Sequence, residues 1–552
     1  MMRRFTHTMK ILTASLTAGV LLLGSGCAAK SGGSAANADS ITVAVPTLAT
    51  SYDYDSPNQF SNENFTVNSQ TQANLFRHPY EKSAKYPSYS EMNFSKFEPV
   101  LADPDNPYKI SDDGLTYTFK LRKGVLSQAG NPLTAEDVRW SFERKAAGAS
   151  GALTQLKPYL TDVKQISVVD DQHVAFHFNK NDAGNIILYF LSMKDGRIYD
   201  KKELLKHATA DDPWAFKWSN THSGWGFGPY TVDSVTPDQQ MVLKANPNYV
   251  LGEPKIKTVT FQVTANSGTR AQMLKAGNVQ VAESLTPSDS QSLESSDSIV
   301  APTVENPIEF SDLVTVSTQA PFDNKLVRQA FRYAIPYDQI IKDVYKGRGT
   351  ESHGWLSPRI KGINADPVYS YNPTKAKALL TEAGKSDVTV TLHVSTAVQD
   401  LIDSALMIKS YAKDAGFNIN VQQDSPADLA TGRTNKTFQA FLVKNRSQIQ
   451  APIFTFTAFF YPVPTDPNNT SAFKPENLDE YNSLVDKARQ VKDPFSAEAA
   501  TYWNQLQHIV VDDASNLPML YMQPSQAYSK KLTGATYRFD NTMDYSMLSF
   551  SK

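Results

Sequence analysis

Cysteine is all but missing: Cys27 is the only one in 552 residues. With a single thiol no internal disulfide can form, so core packing alone stabilises the body of the protein. An excess of one charge is missing too. The 54 Lys and Arg against 56 Asp and Glu leave a formal net charge of −2, so nucleic acid is not an expected partner. No apolar run reaches the roughly 20 residues that a membrane-spanning helix needs. Catalytic signatures are absent: there is no HExxH, no P-loop, no GxGxxG, and no GxSxG outside the leader. His173 and His177 in DQHVAFHFNK stand four apart, on one face of a strand, with no third ligand nearby. They read as sheet-surface residues. Neither metal, cofactor nor catalytic residue is expected.

The lone cysteine stands in LLLGSGCAAK. Ahead of it, MMRRFTHTMK carries Arg3, Arg4 and Lys10 and no acid, and Ile11 to Leu23 follow as a short apolar segment. A basic leader, a short apolar core and small residues before a break are the parts of a secretory signal peptide, here residues 1–26. Gly24-Ser25-Gly26-Cys27 resembles the lipobox of bacterial lipoproteins, with Gly24 where that pattern has a leucine and Leu23 one step earlier. The resemblance implies cleavage after Gly26 and diacylglycerol on the Cys27 thiol. An ordinary secreted protein is the alternative. Residues 27–40 then form a flexible tether free of large apolar side chains, reaching on the order of 20 Å.

What is plentiful is aromatic: 25 Tyr and 28 Phe within 11% Phe, Trp and Tyr, enough for a large core and for a ring-lined cleft. The body begins with the strand-like ITVAVP, Ile41 to Pro46. In SDDGLTYTFKLRKGV, Leu115, Tyr117, Phe119 and Leu121 alternate with polar residues after an Asp113-Gly114 turn, which predicts a half-buried strand. LTAEDVRWSFER predicts a helix capped by Thr134 with Asp137 three residues on. Phe322 to Ile335 predicts a helix, and Pro336 restarts the chain in a second one that Gly347 ends. Asn372 caps another, with Pro373 in its first turn and Gly384 as its stop. Each alone is an α/β building block.

Together and in this order they resemble the peptide-class (family 5) solute-binding proteins of bacterial ABC importers. Ser111 to Gly124 with Leu133 to Ser141 is similar to that family's first block, and Gly226-Phe-Gly-Pro-Tyr230 with Asn246-Pro-Asn-Tyr249 to its second. Val327 to Ile335 is similar to the third, and Asp466-Pro467 and Leu517 to Leu520 complete the match. The resemblance implies a two-lobed α/β fold of the type II periplasmic-binding-protein class, with a hinge between lobes. Lobe I would be 41–301 with an extra subdomain at about 79–201, lobe II 302–524, and 525–552 a return to lobe I. It also implies a monomer held outside the cytoplasm by its lipid, in the periplasm or on the outer face of the cytoplasmic membrane. Such a protein delivers a solute to a membrane permease and breaks no bond. An oligopeptide or dipeptide is the leading solute class; an oligosaccharide, opine, nickel complex or haem is the alternative, and a secreted hydrolase or a structural surface protein are rival functions.

The residues expected to meet ligand are Tyr52, Trp225, Phe227, Trp355, Phe459, Tyr461 and Asp466. Trp225 and Phe227 lie in the glycine-rich GWGFGPY and Trp355 in SHGWLSP; each stacks on ligand or simply packs beneath its loop. Many peptide-binding members of the family hold the ligand's α-amino group with an Asp three residues before an Asp-Pro. Counting back from Asp466 gives Val463, so Asp466, a distant acid or no acid serves here. FTAFFYPVPTDPNN is rich in rings, which line the cleft or form the buried face of a strand.

Overall fold

A computed structural model describes residues 39–551 except 57–61, 149–152, 154–155, 158, 306, 357–359, 361, 365–367, 447–450, 467 and 539–541. The expected signal peptide and Cys27 fall outside the described residues.

The apolar residues of ITVAVP make a strand, Ser40–Val45, at the middle of a seven-stranded sheet. It runs parallel to Thr258–Val263 on one side and to Val281–Ala282 on the other. Ala527–Ser529, from the C-terminal return, inserts antiparallel between Val281–Ala282 and Ile299–Val300. A six-stranded sheet organises the second lobe, with Glu309–Thr315 flanked antiparallel by Asn516–Met522 and Ala440–Arg446. Every residue of Asn516–Met522 is buried, as expected of a strand covered on both faces. A third, four-stranded sheet pairs Thr116–Lys120 with Tyr108–Ile110 and His173–His177, and its core carries Phe119, Phe142 and Phe176.

The main chain passes from the seven-stranded to the six-stranded sheet after Val300 and returns after Met522. These crossings brace each other. Gln523 donates to the Val304 carbonyl (3.0 Å) and accepts from its N–H (2.7 Å), while the Arg348 guanidinium donates to the carbonyls of Pro302 (2.9 Å) and Pro524 (2.8 Å). Two strands braced at one point form a hinge about which the sheets can turn.

Local signals are realised with shifts of a few residues. Thr134 and Asp137 close a capping box on the Ala135–Ala147 helix, and the Asn372 side chain accepts from Lys375 N (2.9 Å) to start Pro373–Glu382. The helix expected from Phe322 begins instead at Lys325, because Asn324 caps it and Phe322 is buried ahead of it. After Pro336 the chain is helical for Tyr337–Gln339 and widens to a π turn at Ile340–Val344. The strand expected over 115–121 shortens to Thr116–Lys120, with Tyr117 and Phe119 inward.

One helix breaks the usual rule. Asn62–Thr71, NENFTVNSQT, has no apolar stripe, yet Asn64, Asn68, Ser69, Gln70 and Thr71 are buried. Buried polar groups require partners, and these act as brackets. Asn64 accepts from the Thr50 and Ser51 amides, and Gln70 holds the return segment at Met543 O (2.9 Å) and Tyr545 N (3.2 Å).

Candidate ligand cleft

The lobes meet along a seam where rings and charges from both sides face each other. From lobe I comes the 51–56 loop. Its geometry is set by a wholly buried ionic cluster: Arg144 grips Asp53 through both terminal guanidinium nitrogens (3.1 and 2.5 Å), and Lys145 reaches Asp55 (3.1 Å) and the Tyr199 hydroxyl (2.8 Å). Burial alone would raise the Asp53 carboxyl, but the Arg144 guanidinium outweighs it and holds the group below its usual range. For Lys145 burial wins over the pull of Asp55, and its pKa is lowered. The loop thus held presents Tyr52 and Tyr54, both buried. The Lys194 ammonium lies 4.2 Å from the Tyr54 ring and 5.0 Å from Phe65; burial lowers its pKa to about 8 against the counter-pull of Asp195.

Lobe II answers with Arg446, whose guanidinium lies 5.9 Å from the Phe65 ring, and with Phe495, 6.0 Å from Tyr189. Behind Arg446 rises a wall of rings. Trp355, 4% exposed, packs on Phe459 (4.9 Å), Phe310 (5.0 Å) and Phe460 (5.2 Å), and its indole N–H is fixed on the Asn516 carbonyl at 3.0 Å. A cavity of about 1170 Å³ follows the outer seam between Tyr117, Tyr189 and Asp182 on one side and Arg489, Asp493 and Phe495 on the other. A second, of about 780 Å³, opens beside the hinge at Thr303 and Gln523. The ring wall lines neither.

Of the sequence-predicted residues, Trp355 and Phe459 are brought together, and Tyr52 belongs to the same apolar cluster across the seam. Tyr461 is 45% exposed. Asp466 is half-buried, its carboxylate accepting from the Asn468 amide (2.8 Å) as part of a turn; Pro467 lies outside the described residues. Trp225 and Phe227 go elsewhere. Trp225 is buried with Tyr199 and Trp140 beneath the Arg144 guanidinium, and Phe227 fills the core of the four-stranded-sheet subdomain. The reason is the glycines beside them. A Cβ on Gly226 would stand 2.2 Å from Gln72 Oε1 and one on Gly228 2.4 Å from the Thr71 carbonyl carbon, so this stretch is pressed against the Asn62–Thr71 helix.

The ring-rich FTAFF stretch is helical, not a strand: Pro452–Phe454 runs into a π turn at Thr455–Phe459. Local β propensity is overridden by packing. The Tyr481 hydroxyl bonds the Phe456 (3.1 Å) and Phe460 (3.0 Å) carbonyls, and Trp503 stacks on Phe456. The ionic cluster was missed from sequence; its only signal is the acid alternation SYDYDS at 51–56. His173 and His177 have separate partners, Asp170 for the first and Thr116 and Ser167 for the second. Among the described residues no group of three potential ligands could hold a metal.

The model of the bacterial extracellular solute-binding proteins, family 5 (middle region), matches residues 45–467. The chain belongs to this family. It is the solute-binding component of an ABC importer, acts outside the cytoplasm, and captures solute without catalysing a reaction. The probable D,D-dipeptide-binding periplasmic protein of Escherichia coli K12 is 25% identical over 466 residues, covering 82% of this chain and 86% of that one. The glutathione-binding protein of the same strain is 26% identical over 460 residues, covering 80% and 83%. The periplasmic binding protein of Helicobacter pylori in complex with the peptide STSA shares the fold at a TM-score of 0.76, with 22% identity and coverage of 93% and 98%. No helix of the described residues is long and apolar enough to cross a membrane.

Proposed function

We propose that this receptor captures a short peptide between its lobes and hands it to its permease, tethered to the membrane by a lipid on Cys27. The observation that carries the peptide reading is the match along about four-fifths of the chain to curated relatives named for dipeptides and glutathione. Lobe I extends to about residue 301 and lobe II to about 524, with the braced crossings as hinge. Trp355, Phe459 and Tyr52 meet the solute as the lobes close, the solute displacing contacts that the seam makes in its absence. A single observation favours a non-peptide solute: Val463 stands where an acid for a free amino group is expected from the family resemblance. Mass spectrometry of what co-purifies after mild denaturation tests the two. A peptide is expected, and an opine, saccharide or metal chelate in its place would refute the peptide reading.

Two consequences follow for mutants. Trp355→Ala is expected to weaken solute binding by roughly 1.5–3 kcal/mol, the worth of burying one large apolar side chain. Calorimetry with the co-purified solute checks it; unchanged affinity would remove Trp355 from the site. Cys27→Ser is expected to shift the protein from the membrane fraction to the soluble one, since stable anchoring needs the acyl chains. Membrane fractionation identical to wild type would refute the lipid anchor.

A further inference from the structure

Several buried acids among the described residues have close partners. Asp53 has Arg144 and Asp55 has Lys145, while Asp200 accepts from Ser127 (2.5 Å), Asn131 (2.9 Å) and the Glu203 amide (2.9 Å). Asp312 has no ion pair among the described residues, whereas Asp195, whose two oxygens lack hydrogen bonds, has the Lys194 ammonium at 3.7 Å. Asp312 sits on Glu309–Thr315, the strand at the heart of lobe II, and is 1% exposed. Among the described residues its Oδ2 accepts from the Asn445 side-chain amide at 3.3 Å, and its Oδ1 has no hydrogen-bond partner. No ion pair reaches it there. Arg332 is committed to the Leu313 (2.8 Å) and Ala514 (2.9 Å) carbonyls, and Arg433 lies over the Phe441 ring at 5.4 Å. Tyr521 donates its hydroxyl to the Gly354 carbonyl, and His353 stacks on Tyr521. A buried charge without a partner is costly enough that natural structures pair it or neutralise it.

Strand register shows where this acid faces. Residues two apart on a strand share a face, so Asp312 lies on the face of Phe310, whose ring meets Trp355 at 5.0 Å and Tyr521 at 5.6 Å. Asn445 is opposite Phe310, and the next residue, Arg446, is the one that meets Phe65 of lobe I. Asp312 therefore stands three residues along the strand from Glu309, the residue opposite Arg446, about 10 Å inward of that contact. Asn516 is opposite Val314 on the same face, and its Oδ1 is a second buried acceptor without a partner among the described residues. Two such acceptors beside a ring wall suit an N–H-rich cation.

We propose that Asp312 is the counter-ion for a primary ammonium group of the bound solute, with Trp355 flanking it. The inference rests on the receptor role proposed above. Burial raises the Asp312 carboxyl to about 6 in the absence of solute, against weaker pulls from Asn445, Arg332 and Arg433; a bound ammonium would bring it back to the ionised form.

The test is calorimetry at pH 7.5 on wild type, Asp312→Asn and Asp312→Ala, with unmodified di- to pentapeptides and their N-acetylated counterparts. Wild type is expected to prefer the free amines at least tenfold, and both variants to lose that preference while melting no lower than wild type without solute. Equal affinity of wild type for the two sets, or an undiminished preference in Asp312→Asn, overturns the ammonium site and leaves the peptide reading standing. If neither set binds, the peptide reading falls and the site is judged on the solute that co-purifies. An amine-bearing solute kept by wild type and lost from Asp312→Asn supports the site; a solute without a cationic nitrogen overturns it.

Discussion

Replacing Arg144 by Met is expected to destabilise the protein by about 3–5 kcal/mol, the cost of leaving a buried carboxylate without its partner. The Arg144 side chain is wholly buried, as is that of Asp53, and besides gripping Asp53 it donates to the Trp214 carbonyl (3.0 Å) and Ser219 Oγ (2.9 Å). Asp55 lies 3.8 Å away as a second acid that would lose a cation. The double variant Arg144→Met, Asp53→Asn should recover much of the loss, because the unpaired charge is gone even though the bonds are not. Urea midpoints of the three proteins measure this. A single variant that loses less than about 1 kcal/mol, the level of an exposed pair, would show that the cluster does not hold the 51–56 loop. Solute affinity should fall with the single variant as well, since that loop carries Tyr52 and Tyr54 to the seam.

Asp312 yields the second large effect, of opposite sign. Its carboxyl is raised from 3.8 to about 6, which corresponds to about 3 kcal/mol of differential stability. An acid whose folded pKa is raised destabilises the fold where it is ionised. The penalty is absent below pH 4, grows between about 4 and 6, and is complete above. Without solute, Asp312→Asn is therefore expected to match wild type at pH 4 and to exceed it by up to about 3 kcal/mol at pH 8. Urea midpoints at pH 4, 5, 6 and 8 follow the difference between the two proteins, which cancels the titration of all other groups. A difference that stays constant across that range would mean that Asp312 is paired and uncharged by some other route. Saturation with a cationic solute should reverse the order at pH 8.

Much of the molecule was legible in its residues because the signals are local. Thr134 with Asp137, Asn372 with Pro373, and the alternation around Tyr117 and Phe119 each specify a cap or a strand within a few residues, and the structure places them there. Family membership was legible for a related reason: blocks of this kind recur in order along the chain. The FTAFF segment was not, because its helical form depends on the hydroxyl of Tyr481 more than twenty positions away. Trp225 and Phe227 likewise look like cleft residues until the Asn62–Thr71 helix, distant in sequence, closes over their glycines.

By itself the sequence determined the class of fold and a receptor role without chemistry, since these rest on short-range pattern and composition. Only the tertiary structure decided which side chains are buried and which charges find a partner. An acid such as Asp312 is ordinary in IEFSDLVTV; it becomes exceptional when the flanking strands bury it and their cations, Lys444 and Arg446, pair with Asp400 and Glu309 instead. Burial and the presence or absence of a charge partner belong to pairs of residues far apart in the chain, and no local pattern encodes them.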